Sequence, residues 1–169
     1  MSEKQVLFSS KLKHAGVFSF ASFYKFCYDW LVEETTLLMQ ETKYVEKIKG
    51  DMKEIDVEWE GFKKLTDYFK FEIKVKFKVL GLKEVEIVQD GKKIKTNQGQ
   101  VEVSVKSTLV RDWQGLYEKN GFQKFLREAY DKWVIPSRID QFEGKVIGDS
   151  DEFLGQAKAW LSLEGKERH

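Results

Sequence analysis

The sequence predicts an α+β fold: one curved antiparallel sheet of about six to seven strands in a meander, packed on an N-terminal helix and two to three C-terminal helices. Three observations predict it. An aromatic-dense stretch, Phe18 to Trp30, carries apolar residues at helical spacing. A long stretch from Thr42 to Val110 alternates apolar and charged residues with period two. After Val110 the helical period returns, broken by the chain's one proline, Pro136.

The first strand is expected over Gln5 to Lys13, where Val6, Phe8 and Leu12 fall on alternate positions, and His14 to Val17 is expected to turn the chain. Ser19 then reads as a helix N-cap, with Phe18 before it and Phe23 at the fourth helical position, the spacing of a hydrophobic staple. Phe20, Phe23, Tyr24, Cys27 and Leu31 form one stripe of the helix that follows to about Thr35. Phe26, Trp30 and Tyr28 widen it until roughly two thirds of the circumference is apolar. Each large apolar side chain gains about 1.5–3 kcal/mol on full burial, so this helix requires cover on more than one side. Leu37 to Gln40 reads equally as a continuation of the helix or the start of a strand.

Within the period-two stretch, Ile55, Val57 and Trp59 alternate with Glu54, Asp56, Glu58 and Glu60, and Phe69 to Val79 alternates with lysines and Glu72. The odd positions are assigned to the core. Asp90-Gly91 is a two-residue turn signal that places Ile87 opposite Ile94 and Glu86 opposite Lys95. A second such loop at Gln98-Gly99 would place Ile94 opposite Val103 and Lys95 opposite Glu102, and a looser connection over Leu80 to Glu84 would set Val79 against Val85. Gly50-Asp51 is expected to turn a strand over Tyr44 to Lys49, in a register that faces Glu46 inward. Asn120 and Gln123 resemble a capping box for a helix through Trp133. A shorter helix over Ser137 to Ile147 and a last one capped at Asp149 or Ser150 complete a single domain over residues 1–165, with Gly165 beyond its end and 166–169 as a frayed tail.

This order of elements resembles the helix-grip architecture of START-like lipid-binding and apolar-ligand-binding proteins. The likeness is carried by Val6, Phe8 and Leu12, the aromatic helix, the alternating run Thr42 to Val110, and Phe122 to Trp133. It implies a C-terminal helix across the concave face of the sheet and an apolar pocket between them. Here the pocket would be lined by Val57, Trp59, Phe71, Ile73, Val75 and Phe77 from the sheet and by Phe125, Ala129 and Trp133 from the helix. Arg111 shares the inward parity of Val101, Val103 and Val105. A charge pointing at a core needs a partner, for which Glu34, Glu46 and Asp112 are candidates, or it serves as a polar anchor for a ligand head group.

Composition narrows the function classes. The net charge is +1, and only four of the 29 basic residues are arginines (Arg111, Arg127, Arg138, Arg168), which disfavours nucleic acid as a partner. Lys70, Lys74, Lys76 and Lys78 share one strand face, but the acidic run Glu54 to Glu60 is expected on the neighbouring strand. Charges interrupt every apolar run, so no membrane span or secretory leader is expected and a cytoplasmic location is the default. Cys27 is expected as a reduced core thiol, and neither His14 nor His169 has metal-ligand spacing. Gly148 to Glu152 begins like a calcium loop, but Trp160 stands where the bidentate glutamate belongs, so acidic capping of a helix is the reading there. No nucleophile, phosphate-loop or dinucleotide motif occurs and no cofactor is implied. The expected function is therefore a non-enzymatic interaction or assembly module that contacts itself or another protein, since the chain's surplus of aromatics is the stuff of interface anchors. The alternative is an apolar small-molecule binder of the helix-grip kind.

Overall fold

The computed structural model describes residues 3–114 and 136–167. Strand β1 (Glu3–Phe18) leads into helix α1 (Phe20–Thr35), followed by β2 (Leu38–Lys49), β3 (Met52–Lys64), β4 (Phe69–Gln89), β5 (Lys92–Arg111) and helix α2 (Pro136–Glu167). The strands form one antiparallel sheet in the order β1-β5-β4-β3-β2. Four strands are thus a meander, and β1 closes beside the last of them.

Helix α1 begins as its sequence dictates. Ser19 is its N-cap, accepting from Ser22 N, and Phe18 meets Phe23 edge-on with ring centroids 6.2 Å apart. Thr36, in the left-handed conformation at φ 58°, ends it and releases the chain directly into β2, which settles the ambiguous stretch as strand. The helix lies on the concave face over Trp59 and Phe77, with Phe20, Phe23, Cys27 and Leu31 buried beneath it. Its flank is covered by α2, where Trp160 stacks on Phe26 and packs on Phe23, and Phe153 packs on Trp30. Cover on two sides is what its wide apolar surface required.

Among the described residues the sheet has five strands instead of six or seven, for two local reasons. The Leu80 to Glu84 stretch is a β-bulge inside one long β4: Leu80 pairs with Gln100 and Lys83 with Gln98, and Gly81 takes φ 61° to absorb the extra residue. Gln98-Gly99 is likewise no turn, and β5 runs straight through it. Ile87 does stand opposite Ile94 and Glu86 opposite Lys95, across a turn in which both Asp90 and Gly91 have positive φ. Val103, however, pairs with Phe77 and Leu12 and not with Ile94; Glu102 pairs with Lys78 and Lys13 and not with Lys95; and Val79 pairs with Val101 and Ile55 and not with Val85. The first strand also runs on through the expected turn at His14 to Val17, which pairs with Val101 to Gln98.

The C-terminal region departs from expectation in the same direction, toward fewer and longer elements. Pro136 opens a helix, as its fixed φ and missing N–H allow at a first helical position. That helix is continuous to Glu167, through Gly148 to Glu152 and through Gly165, so the separate helices, the acidic cap at Asp149 or Ser150 and the helix end before Gly165 are all replaced. Ser150 is buried mid-helix, donates back to Val146 O at 2.7 Å and meets Ser107 Oγ of β5 at 2.5 Å. The expected helix through Trp133 lies outside the described residues.

Odd-position residues of β3, β4 and β5 fill the core as predicted, and the convex face is charged. There Lys76 meets Glu58 at 3.4 Å and Lys74 meets Glu60 at 3.9 Å, the acidic strand neutralising the basic one. Among the described residues, no helix is long and apolar enough to cross a membrane.

Candidate functional site

The two hairpins reach further than the helix that covers them. β2 and β3 turn at Gly50-Asp51 and β4 and β5 turn at Asp90-Gly91, beyond the N-terminus of α1. The concave face there is open, forming a cleft of about 820 Å³. Its inner wall is the first turn of α1, held to β5 by Phe20 N donating to Asn97 Oδ1 at 3.1 Å. Its floor is aromatic and apolar: Phe20, Tyr24, Tyr44, Ile55 and Leu82.

Two hydrogen-bond chains organise this floor. Trp59 Nε1 donates to Tyr24 Oη at 3.2 Å, and the Tyr24 hydroxyl in turn donates to Glu41. Beside it Tyr44 Oη donates to Glu46 Oε1 at 2.8 Å, while Lys53 Nζ approaches the other carboxylate oxygen at 3.8 Å. The two tyrosine rings meet edge-on at 6.5 Å. Glu46 is opposite Ile55 and does share the inward side of the sheet, as its register implied. It is tolerated because that end of the concave face is open to water, and Glu46 is exposed. The cleft also carries Lys83, and Lys95 paired with Glu84 at 3.8 Å. Its lining combines an aromatic base with a mixed-charge rim of Glu41, Glu46, Asp51, Lys53, Lys83, Glu84 and Lys95.

The phenols carry a measurable signature. Both are pushed up to about 12, each first by burial and then by the hydrogen bond donated to Glu41 or Glu46. Their folded pKa lies above the ordinary value of 10, so the native chain holds these protons more tightly than the unfolded one. The stability involved is intact below the unfolded value and is lost as pH rises through the folded one. Tyr44 is 45% exposed, and solvent screening keeps its share small. Alkaline titration followed by tyrosinate absorbance should show these two phenols ionising late, with Tyr24→Phe and Tyr44→Phe each deleting one late step. Ionisation of every tyrosine together near 10 would contradict the two chains.

The residues singled out from the sequence fall elsewhere. Val57, Trp59, Phe71, Ile73, Val75 and Phe77 are at most 3% exposed, packed under α1. Phe125, Ala129 and Trp133 lie outside the described residues. Arg111 donates from Nη2 to Gln5 Oε1 of β1 at 3.2 Å at the opposite end of the sheet, and the proposed partner Glu46 is engaged by Tyr44 and Lys53 instead. Asp112, the neighbour, turns in with φ 50° and has a buried Oδ2 without a hydrogen-bond partner among the described residues. Cys27 is a buried free thiol whose pKa burial pushes well up. Among the described residues no group of His, Cys, Asp or Glu has the proximity to hold a metal ion. No family model, curated protein or solved structure matches this chain.

Sequence reading missed the cleft because its polar lining comes from residues that look like ordinary strand surface. The one available signal was Glu46: an inward-facing charge in an otherwise regular register marks a place where the inward side is open.

Proposed function

We propose that the chain is a non-enzymatic protein-interaction module that receives a polypeptide partner at the open, β2 side of its concave face. One observation carries this reading. The core beneath α1 is closed by interlocked aromatics, with Trp59, Phe23 and Phe77 at most 1% exposed, whereas the β2 side leaves large apolar side chains in water, Tyr44 at 45% and Ile48 at 72%. The cleft beside it mixes aromatic rings with carboxylates and lysines, the composition of an interface rim more than of a lipid pocket.

The START-like reading is supported by the element order and by β1 lying next to β5. Its apolar-ligand corollary depends on the stretch Phe122 to Trp133, outside the described residues, and fold likeness alone does not assign a ligand.

Native mass spectrometry of protein freshly isolated from its natural source tests the two readings together. The expected spectrum contains a stoichiometric complex heavier than one chain and no small-molecule adduct. A bare monomer, or a monomer carrying an adduct of small-molecule mass, would sink the interaction reading.

A further inference from the structure

We propose that the free edge of β2 takes up an extended, acidic segment of another protein as a sixth strand, over the stretch Lys43 to Lys49. This rests on the interaction reading above and names its partner chemistry.

The edge is a formed strand with one side unpaired among the described residues. β2 ends the strand order, with β3 its one neighbour among the described residues. In such a strand every second residue turns its N–H and C=O away from the sheet. The opposite edge, β1, has α2 packed along it, with Leu7, Phe8 and Leu12 against the core. Among the described residues no helix packs along β2 in this way, and β2 is exposed along nearly its whole length. A bulge at Thr42 interrupts its register with β3, so the regular stretch is Lys43 to Lys49. That is long enough for a strand of ordinary length to pair along it.

The side chains on this stretch specify the occupant. Tyr44, Glu46 and Ile48 lie on the cleft side of the sheet, and Lys43, Val45, Lys47 and Lys49 on the other. The carboxylates behind the lysines are partly spoken for: Glu58 lies 3.4 Å from Lys76 and Glu54 lies 2.9 Å from Lys49. Lys43 and Lys47 make no ion pair among the described residues. An added strand matches this edge with carboxylates opposite the three lysines and apolar side chains opposite Tyr44, Val45 and Ile48.

A second copy of the chain does not fit. An antiparallel two-fold pairing centred on Val45 sets Lys43 against Lys47 in both halves. Centred on Glu46 it opposes that carboxylate to itself and Lys43 to Lys49; centred on Lys47 or Ile48 it again stacks lysine on lysine. A pairing centred on Tyr44 runs into the bulge at Thr42 within two residues. Like charges directly opposite destabilise the other four registers, so the edge discriminates against itself and in favour of an acidic partner.

The test uses a capped seven-residue peptide with glutamates facing Lys43, Lys47 and Lys49 and isoleucines facing Tyr44 and Ile48. Its counterpart carries lysine for each glutamate. By titration, the glutamate peptide is expected to bind roughly tenfold more tightly than its counterpart, with amide shifts concentrated on Lys43 to Lys49. The preference should invert in the double variant K43E/K47E, whose substituted side chains are solvent-exposed and whose fold is checked by circular dichroism. N-methylation of alternate peptide amides should abolish binding, since the ladder requires those donors. Equal affinity for the two peptides, no inversion, or shifts confined to the convex face would overturn the assignment. Failure of both peptides beside an intact native complex overturns the β2 edge alone, whereas absence of any complex overturns the interaction reading itself.

Discussion

Trp59→Ala is expected to lower the unfolding free energy by about 3–5 kcal/mol. For a domain of this size that is a fall in melting temperature on the order of 10 °C. Trp59 is fully buried on the inner side of β3, and its ring meets Phe77 at 4.6 Å, Tyr24 at 4.9 Å and Tyr28 at 5.4 Å, all edge-on. Edge-to-face contacts of this kind add to the burial of area. Alanine would open a cavity at the centre of the helix-sheet contact and strip Tyr24 of the donor that points it at Glu41. Trp59→Phe should cost less, about 1–2 kcal/mol, since it keeps most of the packing and loses the N–H. Urea unfolding of the three proteins measures both numbers. A loss below about 1 kcal/mol for alanine would mean that the concave face is not sealed by α1, and the case for an interior without a pocket at Trp59 would go with it.

That Trp59 faces α1 could be read from the sequence, and the reason shows what kind of information a sequence holds. Period two along β3 and β4 is a local property: each residue's side of the sheet follows from its neighbours two positions away. The same holds for α1, whose cap, staple and stripe are contained within one short segment. The turn at Asp90-Gly91 is local too, because both residues must take positive φ and both types allow it. What failed was decided by contacts remote in sequence. Gln98-Gly99 has the composition of a turn, and Leu80 to Glu84 looks like a loop, but each is an answer to the other: the bulge in β4 and the glycine in β5 are neighbours in the ladder. Ser150 has the composition of a cap, yet its hydroxyl serves a buried bond to Ser107, 43 positions away. The candidate site belongs to this second class. Tyr24, Glu41, Tyr44 and Glu46 come from a helix and an edge strand, and their grouping depends on hairpins that outreach α1.

Gly99→Val is the substitution that isolates this cross-strand effect, and it is expected to destabilise by about 1–3 kcal/mol. A Cβ at Gly99 would stand 3.0 Å from Leu82 Cα, 3.1 Å from Leu80 O and 3.3 Å from Gly81 O. All three atoms are backbone, so no side chain can swing aside to relieve the contact. The added atoms can be accommodated only by forcing β4 and β5 apart at the bulge, which loosens the pairs on either side, Leu80 with Gln100 and Lys83 with Gln98. Gly144→Ala in α2 supplies the opposite sign. A Cβ there meets nothing within 4 Å, and replacing a helical glycine should stabilise by about 0.5–1 kcal/mol. The pair separates close approach from backbone freedom as the reason for a glycine. If Gly99→Val were as stable as the parent, the two strands could not be as close as the bulge places them, and Gln98-Gly99 would again be open to reading as a turn. Amide exchange then decides between the two: in a continuous β5, the N–H groups flanking Gly99 exchange as slowly as those of the strand around them, whereas the tip of a hairpin exchanges fast.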